Sequence, residues 1–172
     1  RTTSSAASDV YKRQVMGDAL AICLMELSGF KAEDFARSHP GGALGKALNV
    51  QLGHLLQPHK KPAVTPDTTI KAVINEISTK LVGATAVIQD SQVVGVVTDG
   101  DLRRMMQTTG DFSRLKAQDI MAKKPIVLSS DTLAKEALTL MQEKEISQII
   151  VVDANTYMGI VHIHDILNEG IY

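Results

Sequence analysis

Tryptophan is absent from this chain of 172 residues, aromatic residues make up only 3% of it, and cysteine occurs once. Each shortage excludes something. With so few rings, stacking on bases or sugar faces has few candidates beyond backbone and aliphatic groups. The lone cysteine, Cys23, lies in an apolar run and can form no internal disulfide, which suits a reducing cytoplasm. A formal net charge of −1 offers no electrostatic footprint for nucleic acid or an anionic membrane. The basic pairs Lys60-Lys61 and Lys123-Lys124 read as solvated linkers. Long hydrophobic runs are missing too: Ala19 to Leu27 is broken by Glu26, and no segment reaches the length of a membrane span. The first residues hold no apolar core of a secretory signal. The expectation is a cytoplasmic globular protein with no nucleic-acid or membrane partner.

What the chain does have is a repeat. Gly95-Val96-Val97-Thr98-Asp99-Gly100-Asp101-Leu102 is echoed by Gly159-Ile160-Val161-His162-Ile163-His164-Asp165-Ile166. Asp67 and Asp131, Gly95 and Gly159, Asp101 and Asp165 are each separated by the same 64 residues, with no gap. Repeats of this length are supersecondary units that bury apolar faces against each other. Two like modules should therefore face each other across a pseudo-two-fold axis, with a cleft between them.

The local pattern gives each module the order helix, strand, strand, helix. Asp67 reads as an N-cap for a helix whose apolar positions Ile70, Val73, Ile74 and Ile77 follow the i, i+3, i+4, i+7 spacing. Ala84–Ile88 and Val93–Val97 read as a hairpin around Gln89–Gln92, and a helix follows Asp99. The second copy repeats this with a helix Thr132–Lys144, strands Gln148–Val152 and Tyr157–Ile163, and a short terminal helix. Pro58-His59-Lys60-Lys61-Pro62 reads as the linker ahead of the repeat. Upstream, Val15 to Ser28 is nearly all apolar and reads as a helix buried on most sides, ending at Gly29. Residues 30 to 57 offer such a helix no large partner surface. Residues 1 to about 50 are thus expected to be the tail of a domain whose body lies upstream.

The doubled order, with Gly95, Thr98 and Asp101 after the last strand of the first copy, resembles the CBS-domain pair (Bateman module) and its adenosine-nucleotide motif. Asp101 in the first turn of a helix could accept from two ribose hydroxyls, and Thr98 could donate to a phosphate. The same two residues also have the spacing of a capping box, and both readings stay open. In the second copy His162 replaces the threonine while Asp165 is kept. An imidazole can still donate to a phosphate, with a charge that depends on pH. His162 and His164 could supply two metal ligands, but no third is evident, so no metal site is expected.

Met16-Gly17-Asp18-Ala19-Leu20-Ala21, Phe30 and the run Asp34 to Lys46, with Ser38-His39-Pro40-Gly41-Gly42 at its centre, resemble the end of the sugar isomerase (SIS) domain. The match is to arabinose-5-phosphate isomerases of the KpsF/GutQ type, in which a CBS pair follows directly. The resemblance implies an α/β (α+β) chain: a remnant of the SIS domain at 1–50, one CBS domain at 51–108 and a second at 115–172. It implies a parent enzyme that interconverts D-ribulose 5-phosphate and D-arabinose 5-phosphate for Kdo synthesis, with His39 catalytic. No cofactor is required on this reading, and an adenosine or cytidine nucleotide is the candidate effector in the CBS cleft. A homo-oligomer, dimer or tetramer, is expected. The base glutamate would lie upstream, so this chain alone would be inactive. Thr2-Thr3-Ser4-Ser5 resembles the family's phosphate loop, whereas Ala6 to Gln14 does not fit the pattern. The alternative is a stand-alone CBS module that senses a nucleotide or drives dimerisation without catalysis.

Overall fold

A computed structural model describes residues 3–39 and 41–172. Thr2, part of the suggested phosphate loop, and Pro40 of the Ser-His-Pro-Gly-Gly run lie outside the described residues. The chain divides into two compact units, Arg1–Gly45 and Lys46–Tyr172.

In the first unit, helix α1 runs from Thr3 to Ser28, well ahead of the expected start at Val15, and α2 spans Ala32–Ser38. The end of α1 is as expected. Gly29 takes φ +63, its N–H bonds Glu26 O at 3.1 Å, and the Phe30 N–H bonds Met25 O at 3.0 Å, which is a Schellman motif. The expected burial is overturned. Every residue from Ser8 to Ser28 is exposed, Leu20 at 57% and Leu27 at 85% among them. Apolar composition marks a helix that could be buried, but burial itself needs a facing surface. Helix α3 (Ala43–Asn49) crosses from the first unit into the second.

The second unit holds the repeat. Its first half runs α4 (Leu52–Leu55), β1 (Ala63–Val64), α5 (Ile70–Lys80), β2 (Ala84–Gln89), β3 (Gln92–Thr98) and α6 (Asp99–Thr108). Its second half runs α7 (Ala117–Ile120), β4 (Ala122–Lys123), β5 (Val127–Ser129), α8 (Ala134–Glu143), β6 (Gln148–Asp153), β7 (Thr156–His162) and α9 (Ile163–Asn168). One sheet has the order β1-β2-β3-β4, the other β5-β6-β7. In each, a short strand missed by sequence reading pairs parallel with the first hairpin strand, Val64 beside Val87 and Leu128 beside Val151. The hairpins turn on Asp90-Ser91 and Ala154-Asn155, all four at positive φ, the type I′ geometry that suits strand twist. Both hairpins also carry an irregularity, between Val87 and Ile88 and between Val151 and Val152.

Helix α5 buries Ile70, Val73 and Ile77, as its spacing required, and α8 buries Ala134, Ala137, Leu138 and Met141. Asp67 is not the N-cap. Thr69 holds that position, and Asp67 pairs instead with Lys116 at 2.6 Å. The helix starts are joined across the repeat: Ala117 N–H bonds Thr68 O, and Leu52 N–H bonds Thr132 O. Leu52, ahead of the first module in sequence, is fully buried in the core of the second with Leu138, Met141 and Val161. A separate cluster joins the two sheets, with Val82, Ala84 and Ala86 on one side and Ile150, Tyr157 and Ile160 on the other. The Tyr157 hydroxyl donates to Pro62 O at 2.7 Å, so its buried oxygen is satisfied.

Candidate functional site

In both modules the last hairpin strand delivers a polar residue to the start of a helix beside the partner module. Asp99 N–H bonds Gly83 O at 3.1 Å, and Ile163 N–H bonds Ser147 O at 2.9 Å, so the strand–helix corners are fixed alike. Gly83 stands at φ +72, and a Cβ there would meet Gln148 Nε2 at 3.0 Å. The corners open onto two clefts that share Gly83, Asp99, Gln148 and Ile160 as a common wall.

The first cleft encloses about 640 Å³, within the range of small-molecule sites, and brings Thr98, Asp101 and Arg104 together with Lys124 and Glu145. Its polar groups are engaged with each other. Asp101 Oδ2 accepts from Thr98 N–H at 2.8 Å and from the Thr98 hydroxyl at 2.6 Å, while Oδ1 accepts from Arg104 at 2.5 Å. The capping geometry is therefore formed, and Asp101 is mostly shielded, its side chain 11% exposed.

The second cleft encloses about 510 Å³ and is lined by Lys60, His162, His164 and Asp165. His162 N–H donates to Asp165 Oδ2 at 2.9 Å, and the His162 Nδ1 accepts from His164 N–H at 3.1 Å. That second bond fixes the neutral tautomer with Nε2 as the donor. The imidazole rings stand 4.9 Å apart. Burial, assisted by the neighbouring His164, holds His162 below the ordinary histidine value, and Asp165 opposes the shift. Lys60 and Lys124 lie in connecting segments, as expected, and occupy matching places in the two clefts. Their 64-residue spacing was the signal that could have found them.

Gly95 lines neither cleft. It is buried, and a Cβ there would meet Met121 Sδ at 2.5 Å and Ala122 O at 3.2 Å, so it permits a close crossing. In the first unit, His39 ends α2, its N–H bonding Phe35 O at 2.9 Å and its ring centroid 4.7 Å from that of Phe35. The His39 side chain is exposed. Nearby, Asp34 accepts from Lys31 N–H at 2.9 Å and pairs with Arg37, contacts that lower its carboxyl below the ordinary value. Among the described residues no three His, Cys, Asp or Glu side chains gather to hold a metal, and no helix is long and apolar enough to cross a membrane.

Comparison with known proteins follows the same division. The CBS domain family matches residues 53–108 and 117–171. The chain is 39% identical over 172 residues, 99% of its length, to the arabinose 5-phosphate isomerase KdsD of Yersinia pestis, of which it covers 51%. It thus spans about half the length of the curated relatives it matches. Among solved structures, a CBS domain protein from Pyrobaculum aerophilum complexed with AMP superposes with a TM-score of 0.61 at 23% identity, covering 67% of this chain and 89% of that one. CBSX2, a CBS-pair protein from Arabidopsis thaliana solved in complex with AMP, superposes at 0.59 and 25% identity, covering 71% and 96%.

Proposed function

The chain belongs to the CBS-domain family, and from that premise we propose that it is the C-terminal part of an arabinose 5-phosphate isomerase whose CBS pair binds a nucleotide. The observation that carries the reading is the 39% identity to the Yersinia pestis enzyme, which extends over 99% of this chain and so beyond the CBS pair. Residues 1–50 are then the end of the SIS domain, 51–108 and 115–172 the two CBS domains, and the protein a cytoplasmic homo-oligomer.

Interconversion of D-ribulose 5-phosphate and D-arabinose 5-phosphate moves a proton between C1 and C2 through an enediol. The reaction needs a carboxylate base and a group that handles protons at the sugar oxygens. His39 takes the second role, its exposed ring free to reach a substrate. The base belongs to the N-terminal half of the full-length enzyme, and the described chain is inactive by itself. The reaction requires no cofactor, and its product feeds Kdo synthesis. An adenosine or cytidine nucleotide is the effector, a reading supported by the AMP held in two proteins of this fold. Thr98, Asp101, His162 and Asp165 on the cleft walls are its candidate contacts, with Gly95 shaping the strand behind them.

The test is the isomerisation rate of the reading frame extended upstream to the length of those relatives, with and without His39→Ala. Activity in the intact protein, reduced at least about a hundredfold by the substitution without loss of folding, is expected. No activity in the folded, extended protein would leave a nucleotide-sensing or dimerising CBS module as the better account.

A further inference from the structure

His39, His54 and His162 differ in what holds the imidazole. His54 accepts the Gln51 N–H at Nδ1, at 3.2 Å, and His162 accepts the His164 N–H at Nδ1, at 3.1 Å. Each of these two spends a ring nitrogen on the backbone. His39 does not. Among the described residues no group bonds either of its ring nitrogens. Its ring lies instead against that of Phe35, with the centroids 4.7 Å apart and the planes tilted by 43°. The i, i+4 spacing puts both side chains on one face of α2, and the separation is that of an aromatic pair.

The backbone beneath the pair is tied at both ends. The Lys31 N–H donates to Asp34 Oδ2 at 2.9 Å, and the Ser38 hydroxyl donates to Asp34 O at 3.2 Å. The His39 N–H donates to Phe35 O at 2.9 Å, and the Gly42 N–H donates to His39 O at 3.1 Å. What is left to fix is the side-chain rotation of His39, and Phe35 is the described group against its ring. Phe35 is itself 44% exposed and belongs to none of the described core clusters, so core packing in this chain does not account for a ring there.

We propose that Phe35 is a positioning residue for the isomerisation, its ring holding the His39 imidazole in orientation by a contact that leaves both imidazole nitrogens free for the substrate. The inference rests on the catalytic reading of His39 above. Isomerisation carries one proton between the sugar oxygens O1 and O2, apart from the C–H proton that the base moves. A neutral imidazole can accept that proton at one nitrogen and release its own from the other, ending as the opposite tautomer. The exchange occupies both nitrogens. A ring oriented in the usual way, by a hydrogen bond at Nδ1, would have one of them already committed. A ring-to-ring contact commits neither.

The experiment is steady-state kinetics on the reading frame extended upstream to the length of the relatives. It compares the parent, Phe35→Leu, Phe35→Tyr, His39→Ala, and Phe35→Leu combined with His39→Ala. Phe35→Leu should lower kcat roughly tenfold to a hundredfold and leave KM within about twofold, the scale set by a slightly misplaced catalytic group. Phe35→Tyr keeps the ring and should hold kcat within about threefold of the parent. On the His39→Ala background, Phe35→Leu should cost nothing further, because groups that act as a unit are not additive. If Phe35→Leu does not fold, Phe35→Met, flexible and similar in size, takes its place in both backgrounds. An unchanged kcat in Phe35→Leu would overturn the proposal. So would a loss of the same size with and without His39, which is what a purely structural role predicts. Either result leaves the isomerase reading intact, whereas an inactive, folded parent would overturn both.

Discussion

The two CBS modules share backbone conformation and part company where side chains meet solvent. Left-handed residues fall at Leu81 and Glu145, type I′ turns at Asp90-Ser91 and Ala154-Asn155, and sheet irregularities at Val87 and Val151, all at the repeat spacing. At the same spacing part of the cleft lining changes, Thr98 to His162 and Gly100 to His164, while the pairs Asp101/Asp165 and Lys60/Lys124 keep their residue type. The difference teaches where sequence is constrained. Turns and crossings set the path of the whole module, and errors there propagate through the core. Residues on a half-exposed cleft wall can be exchanged at small cost in folding, and so can diverge toward different ligands.

The largest effect that would test this comparison is expected at Leu52. It precedes the first module in sequence, yet its fully buried side chain belongs to the second module's core. Leu52→Ala should cost about 2–5 kcal/mol of stability, the usual range for a truncated buried leucine. Native-state hydrogen exchange should show the loss in α8, β6 and β7 before α5, β2 and β3. Equal weakening of both modules would break the view that the segment ahead of each module closes the other.

A smaller effect sharpens the comparison at the paired glycines. A Cβ at Gly95 would sit 2.5 Å from Met121 Sδ and 3.2 Å from the Ala122 carbonyl oxygen. At Gly159 the only close atom is Leu56 Cδ2, at 2.9 Å, the mobile end of a side chain. Gly95→Ala should therefore destabilise by about 1–3 kcal/mol through this clash, read from the urea midpoint, and Met121→Ala should relieve it. At Gly159 (φ +159), by contrast, the backbone conformation and not the packing opposes a side chain. A Gly95→Ala protein as stable as the parent would mean that this crossing is not packed as described.

These positions also mark how much could be read without the structure. The repeat, both hairpins, and helices α5 and α8 were legible, because hydrophobic periodicity and turn residues act locally. Strands β1 and β5 were not. Two or three residues cannot show an alternation, and their place is set by parallel pairing with strands much later in the chain. The exchange of Leu52 was hidden for the same reason, since nothing local says which core a leucine enters. Helix α1 taught the converse, as its apolar run was correctly read as helix and wrongly as buried. At the clefts, the Thr98–Asp101 and His162–Asp165 pairs were found from the repeat. Arg104, which closes Asp101 off, was not, because its partner is visible only when one turn of α6 is built.

The smallest expected effect separates the modules by pH. Thr98 cannot titrate, whereas His162 does the same capping work through Nδ1, and protonation there would break the bond from His164 N–H. Burial and the adjacent His164 hold its folded value below the ordinary 6.5. Between those two values the unfolded chain binds more protons than the folded one, so stability is complete above 6.5 and is lost as pH falls toward the folded value. His162→Thr, which makes the second corner like the first, removes this contribution and should reduce the loss of stability between about pH 7.5 and 5.5. The difference between the two urea-unfolding profiles reads what the His162 side chain contributes. An unchanged profile would mean that the imidazole caps α9 equally well in both protonation states, which a protonated Nδ1 cannot do.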